Sequence, residues 1–85
     1  MSFYYYCDMD QYEVGYVLET DSGFIAMETK LSATVRKSDF RGIERFARHV
    51  EQHFHSGILF YDGDHVLPFG EKLWAVPIAC MWSGQ

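Results

Sequence analysis

The 85-residue sequence has only two cysteines, two prolines and no long apolar run. No segment approaches the ~18 apolar residues that a membrane-spanning helix needs, and no signal peptide is recognisable. We therefore expect a cytoplasmic protein with no membrane contact, in which Cys7 and Cys80 are reduced, buried and structural. A bridge between these cysteines stays an alternative only if the two end strands lie close together.

Motifs of several enzyme classes are absent as well. No G-x-x-x-x-G-K-[ST] loop occurs, so the backbone cradle for nucleotide phosphates is missing and ATP hydrolysis by this chain is excluded. No G-x-S-x-G motif occurs, and neither cysteine has a neighbouring histidine that suggests a nucleophile.

Basic side chains are few. Seven Lys and Arg stand against twelve Asp and Glu, which gives a net charge of −5. Phosphate contacts dominate nucleic-acid affinity, so this balance argues against direct nucleic-acid binding. An acidic surface serves solubility in many proteins, and it also suits a basic protein partner.

Apolar and aromatic residues, in contrast, are abundant. They make up 48% and 18% of the chain, which is typical of a globular protein and excludes disorder. We predict a single domain over residues 1–85, near the lower size limit for independent folding. So small a domain struggles to cover every strand edge and apolar face, so we expect a homo-oligomer or a protein partner.

The hydrophobic pattern predicts an α/β (α+β) fold in which strands surround one principal helix. Alternation and turn residues predict three antiparallel strands, at residues 3–7, 12–19 and 24–30, with a hairpin turn at 20–23. Helical spacing predicts a helix over residues 39–54, capped by Ser38-Asp39 and stopped by Gly57. Strands at 58–61 and 73–76 complete the order β-β-β-α-β-β, and Pro77 places the last strand at an edge.

The most informative segment is Glu28-Thr29-Lys30. Residues two apart on a strand point to the same face, so Glu28 and Lys30 lie side by side. A metal-dependent phosphodiesterase presents a Mg²⁺ ligand beside a lysine in this way. Such a site also needs an aspartate on the neighbouring strand, and the matching position here is Gly15.

A set of short segments lies along the chain in a fixed order: Tyr5-Tyr6, Asp10, residues 13–19 (Glu-Val-Gly-Tyr-Val-Leu-Glu), residues 27–30 (Met-Glu-Thr-Lys), residues 38–42, residues 61–63, residues 67–70 and residues 73–77. These segments and the element order together resemble the C-terminal PD-(D/E)XK nuclease-like domain, a domain of unknown function, of prokaryotic AAA-type ATPases. The resemblance implies a restriction-endonuclease-like mixed sheet, here without the ATPase part. It also implies that Gly15 replaces the aspartate that would hold the metal.

Three functions follow as hypotheses. The first is a catalytically inactive nuclease-like module that acts through protein–protein contacts and needs no cofactor. The second is a small acidic inhibitor of a basic nucleic-acid-binding complex, similar to anti-CRISPR proteins of phages. Its acids in predicted turns are Asp8, Asp10, Asp21, Asp62 and Asp64. The third is a residual Mg²⁺-dependent nuclease in which Glu13, Glu28 and Lys30 are catalytic and Glu28 binds the metal.

Further residues are candidates for binding. His49 and His53 have the i, i+4 spacing of a zinc site, with Glu51 and His55 nearby, although a polar helix end explains them more simply. Two aromatic strand positions, two acids and one residue of the apolar tail are predicted to contact a partner: Tyr4, Tyr6, Asp8, Asp10 and Trp82.

Overall fold

The computed structural model describes residues 2–7 and 14–81, with only the backbone described for residues 2–7, Val14 and Met81. The predictions that concern Asp8, Asp10, Glu13 and Trp82 therefore lie outside the described residues. The elements are strands β1 (Ser2–Cys7), β2 (Val14–Thr20) and β3 (Gly23–Lys30), helix α1 (Arg41–Val50), and strands β4 (Phe54–Tyr61), β5 (Leu67–Gly70) and β6 (Leu73–Pro77). Short 3₁₀ helices cover Lys37–Phe40, Glu51–His53 and Ile78–Met81.

The strands form one mixed sheet in the order β1-β2-β3-β4-β6-β5. The pairs β1–β2, β2–β3 and β5–β6 are antiparallel, whereas β3–β4 and β4–β6 are parallel. Since parallel neighbours need a long crossover, the chain passes from β3 through α1 to β4. The predicted α/β class, with one principal helix and an antiparallel meander at the start, is confirmed.

The predicted order β-β-β-α-β-β lacks one strand, because β5 was not expected. Pro68 lies in β5, which forms an edge of the sheet, where a residue without an N–H is tolerated. The prediction that Pro77 marks an edge strand is wrong, because β6 lies between β4 and β5. Pro77 is the last residue of β6, so the strand loses little by its missing donor.

The helix is shorter than predicted at both ends. It begins at Arg41, after a 3₁₀ turn, and its C-cap Glu51 takes a positive φ of 54° that turns the chain out of the helix. Phe54 therefore begins β4 instead of ending the helix. Gly57 is not a helix stop but an interior residue of β4.

Helix α1 packs on one face of the sheet, and the core lies between them. Phe40 and Ile43 are completely buried there, together with Ala26, Leu59 and Ala75 of the sheet. Gly57 sits directly under the helix: a Cβ at this position would lie 2.3 Å from Cγ2 of Ile43. The missing side chain thus allows the helix to approach the sheet.

On the other face of the sheet, Tyr16 and Trp74 are each 42% exposed. Cys80 is an exposed free thiol, so the prediction of a buried structural cysteine is wrong for this residue. The alternative of a bridge to Cys7 fails as well, because three strands separate β1 from β6. Among the described residues, no helix is long and apolar enough to cross a membrane.

We predict that Gly57→Ala lowers the free energy of unfolding by about 2 kcal/mol, because the new methyl group overpacks the contact between helix and sheet. Urea denaturation measures this change. The matched control is Gly57→Ala combined with Ile43→Leu, which removes the branched methyl group at similar volume and should recover part of the loss. Equal stability of Gly57→Ala and the wild type would contradict the described contact.

Candidate functional site

Glu28 lies near the end of β3, on the face of the sheet that α1 covers. The β2–β3 register pairs Glu28 with Gly15, and the β3–β4 register pairs it with Leu59 on the other side. The sequence prediction that Gly15 stands opposite Glu28 is confirmed. Glu28 is only 3% exposed, so it is a buried residue of the sheet.

Lys30, two residues further along β3, is held by the 3₁₀ helix Lys37–Phe40, which leads into α1. Its Nζ donates a hydrogen bond to Oδ2 of Asp39 at 2.6 Å, and the two side chains are 31% and 18% exposed. The same Oδ2 accepts the backbone N–H of Arg36 at 2.7 Å, while the N–H of Asp39 donates to the Arg36 carbonyl at 2.9 Å. The Asp39 carboxylate therefore closes the turn that begins at Arg36, and it also binds Lys30.

This geometry shifts the titration of Asp39. Partial burial raises the pKa of the carboxyl. The hydrogen bonds from Lys30 and from the Arg36 backbone, together with the positive charges of the Lys30 and Arg36 side chains, lower it and outweigh burial. The net result is a pKa below the ordinary value of the group. Asp39 thus remains ionised at any pH near neutrality, and the ion pair persists.

Asp39 is the part of this arrangement that the sequence did not reveal. It was expected only as a helix cap, nine residues from Lys30, and nothing in the spacing signals their contact. The one available hint is its position directly before Phe40. The burial of Phe40 against the sheet fixes the neighbouring residue close to β3.

The residues present do not fit a Mg²⁺ centre of the kind that the resemblance implies. Such a centre needs about two carboxylates close together, but Gly15 offers no ligand to Glu28 and Asp39 is engaged by Lys30. Within residues 14–81, no group of three or more His, Cys, Asp or Glu side chains is placed to hold a metal ion. Glu13, the other carboxylate proposed for the site, lies outside the described residues.

The other candidate residues do not come together either. His49 lies in α1, whereas His53 follows the chain reversal at Glu51, so the two do not share one helix face as a zinc site requires. Asp21 lies at the β2–β3 turn, whereas Asp62 and Asp64 follow β4. Since β4 runs parallel to β3, these acids lie at opposite ends of the sheet.

The partner positions in β1 are defined by their backbone register. Tyr4 pairs with Val17 and Tyr6 with Gly15, at one edge of the sheet. Tyr6 is thus the neighbour of Gly15 on the side away from Glu28.

Comparison with known proteins places the chain in a family. Residues 1–81 match the family described as Domain of unknown function (DUF4143). The match spans nearly the whole chain, so the chain belongs to this family, and the predicted membership in a family of unknown function is confirmed. The nuclease-like character and the ATPase context stay predictions. No curated protein and no solved structure matches the chain.

We predict that Asp39→Asn lowers the free energy of unfolding by about 1 kcal/mol at pH 7, because it removes a partly buried charge from the pair with Lys30. The control is Glu44→Gln, which breaks the more exposed pair with Lys37 and should cost less than about 0.5 kcal/mol. Urea denaturation of the three proteins measures both changes.

The pH dependence gives a second test of the same pair. The pKa of Asp39 is lowered in the folded protein from its ordinary value of 3.8, so the contribution of the ion pair to stability is fully present above that pH. It is lost as the pH falls through the lower folded value. The stability difference between the wild type and Asp39→Asn should therefore stay constant from pH 7 to about pH 5 and shrink below about pH 4. A difference that is absent at pH 7 would contradict the described pair.

Proposed function

We propose that this member of the DUF4143 family is a catalytically inactive nuclease-like module that works through contacts with other proteins. The observation that carries the proposal is the pairing of Gly15 with Glu28 across β2 and β3. A nuclease of this type needs a second carboxylate at that place to fix the metal and balance its charge. Glycine supplies neither a ligand nor a charge.

The state of Lys30 supports the same proposal. In a phosphodiesterase the lysine steadies the attacking water or the phosphate, so its ammonium group must be available to them. Here the ammonium donates to Asp39 at 2.6 Å, and Asp39 is itself fixed by the backbone of Arg36. Lys30 thus links β3 to the start of the helical segment, which is a structural role.

The sheet face opposite α1 supports the protein-contact part of the proposal. Tyr16 and Trp74 expose large aromatic surfaces, while Leu18, Met27 and Phe60 are only partly buried. Aromatic residues and methionine are enriched in protein interfaces. We expect this face to take part in self-association or in binding another protein.

The test is a nuclease assay with Mg²⁺ and with Mn²⁺ on single- and double-stranded DNA and RNA. We expect no cleavage by the wild type and none by Lys30→Ala. Cleavage by the wild type that is lost in Lys30→Ala would overturn the proposal, because it would mean that a working site exists without the second carboxylate.

A gain-of-ligand variant makes the test two-sided. Gly15→Asp places a carboxylate beside Glu28, and we expect it to bind Mn²⁺ at least tenfold more tightly than the wild type, as followed by calorimetry. Gly15→Asn has the same shape without the charge and is the matched control, so it should not improve metal binding. Equal metal affinity of Gly15→Asp and Gly15→Asn, with both variants folded, would mean that position 15 does not face a metal site.

A further inference from the structure

The basic side chains of this acidic protein are concentrated in one part of the chain. Six of its seven Lys and Arg residues lie within residues 30–48, a segment that has only two acids, Asp39 and Glu44. Outside this segment one lysine stands against ten acids. Residues 30–48 are therefore a basic segment, although the net charge of the whole chain is −5.

Three of these residues line one side of α1. Arg41, Arg45 and Arg48 follow the i, i+4, i+7 spacing and fall within an arc of about 60° at 100° per residue. The opposite side of the helix carries Ile43 and Val50, which face the core. We call the three arginines the arginine stripe; it runs for about 10 Å along the outer side of α1.

The two ends of the stripe, Arg41 and Arg48, are accessible. Arg41 and Arg48 are exposed, and neither has an ion-pair partner within residues 14–81. Glu44, the acid on the same helix, pairs with Lys37 at 3.2 Å. The positive charges of Arg41 and Arg48 are therefore available to an anionic partner.

Length and charge favour a protein partner over a nucleic acid. A nucleic-acid strand carries a phosphate for about every 3.4 Å, so the stripe covers roughly three phosphates before the strand reaches the acidic remainder of the chain. An acidic protein segment needs only three or four carboxylates to match the stripe, and its other residues can be uncharged. The planar guanidinium group of arginine also matches a carboxylate with two parallel hydrogen bonds.

We propose that the arginine stripe of α1 docks an acidic protein segment whose Asp or Glu side chains recur at helical spacing. This inference rests on the proposed function in that it names the chemistry of one protein contact. It uses the outer side of α1, a different surface from the site of Glu28 and Lys30.

The experiment uses fluorescence anisotropy at 50 mM salt. The probe is a labelled alanine-based helical peptide with glutamates at i, i+4 and i+7, and its comparison peptide has glutamine at these positions. We expect the wild type to bind the glutamate peptide. Arg41→Gln and Arg48→Gln should each weaken binding about two- to fivefold, and the double variant about tenfold. The affinity should also fall as salt is raised to 200 mM.

Lys72→Gln is the matched control, because it removes the one positive charge outside the basic segment. It should leave peptide affinity within about a factor of two. Absence of peptide binding, an equal loss in Lys72→Gln, or tighter binding of a 12-nucleotide single strand than of the glutamate peptide would each overturn the inference. Thermal unfolding checks that all variants stay folded.

The two proposals fail separately. A chain that cleaves nucleic acid and still binds the peptide through the arginines contradicts the proposed function alone. A chain that neither cleaves nor binds contradicts the docking inference alone.

Discussion

Helix α1 lies against the sheet at Gly57, and the side chain of Ile43 fills the space that a larger residue would occupy. A helix of 10 residues is too short to be stable in water alone, so this packing is what maintains it. Phe40 and Ile43 hold the N-terminal half of the helical crossover over the sheet. The contact therefore also positions the crossover between the parallel strands β3 and β4.

The Lys30–Asp39 pair is one consequence of that packing. Asp39 precedes Phe40, so burial of the phenyl ring brings the carboxylate to the end of β3, where Lys30 emerges. The pair then ties the strand to the turn that leads into α1. A lysine that resembles a catalytic residue in the sequence is thus part of the tertiary fold. The hydrogen bond to Asp39 gives Lys30 a structural role.

The sequence was sufficient wherever a feature depends on neighbouring residues. A tight turn and two-residue alternation determine the register of β2 and β3, so the pairing of Gly15 with Glu28 was predictable. The helix end was not, because Val50 and Phe54 have helical spacing although they are packed in different elements. A register shift near Phe24 and Ile25 turns Phe54 toward the core, and this bulge has no sequence signature. Similarly, Pro77 could not show whether β6 is an edge strand, since this depends on which strands distant in sequence pair with β6.

The total charge of the chain and the local charge of α1 affect binding at different distances. At physiological salt, a charge is felt over about 8 Å, so an approaching molecule responds first to the chain as a whole, which is acidic. Within contact distance, the nearest side chains dominate, and on the outer side of α1 these are Arg41 and Arg48. The net charge therefore governs how fast an anion approaches, whereas the arginine stripe governs how long it stays. An acidic overall composition is thus compatible with an anion-binding helix, provided that the anion is short enough to touch only the stripe.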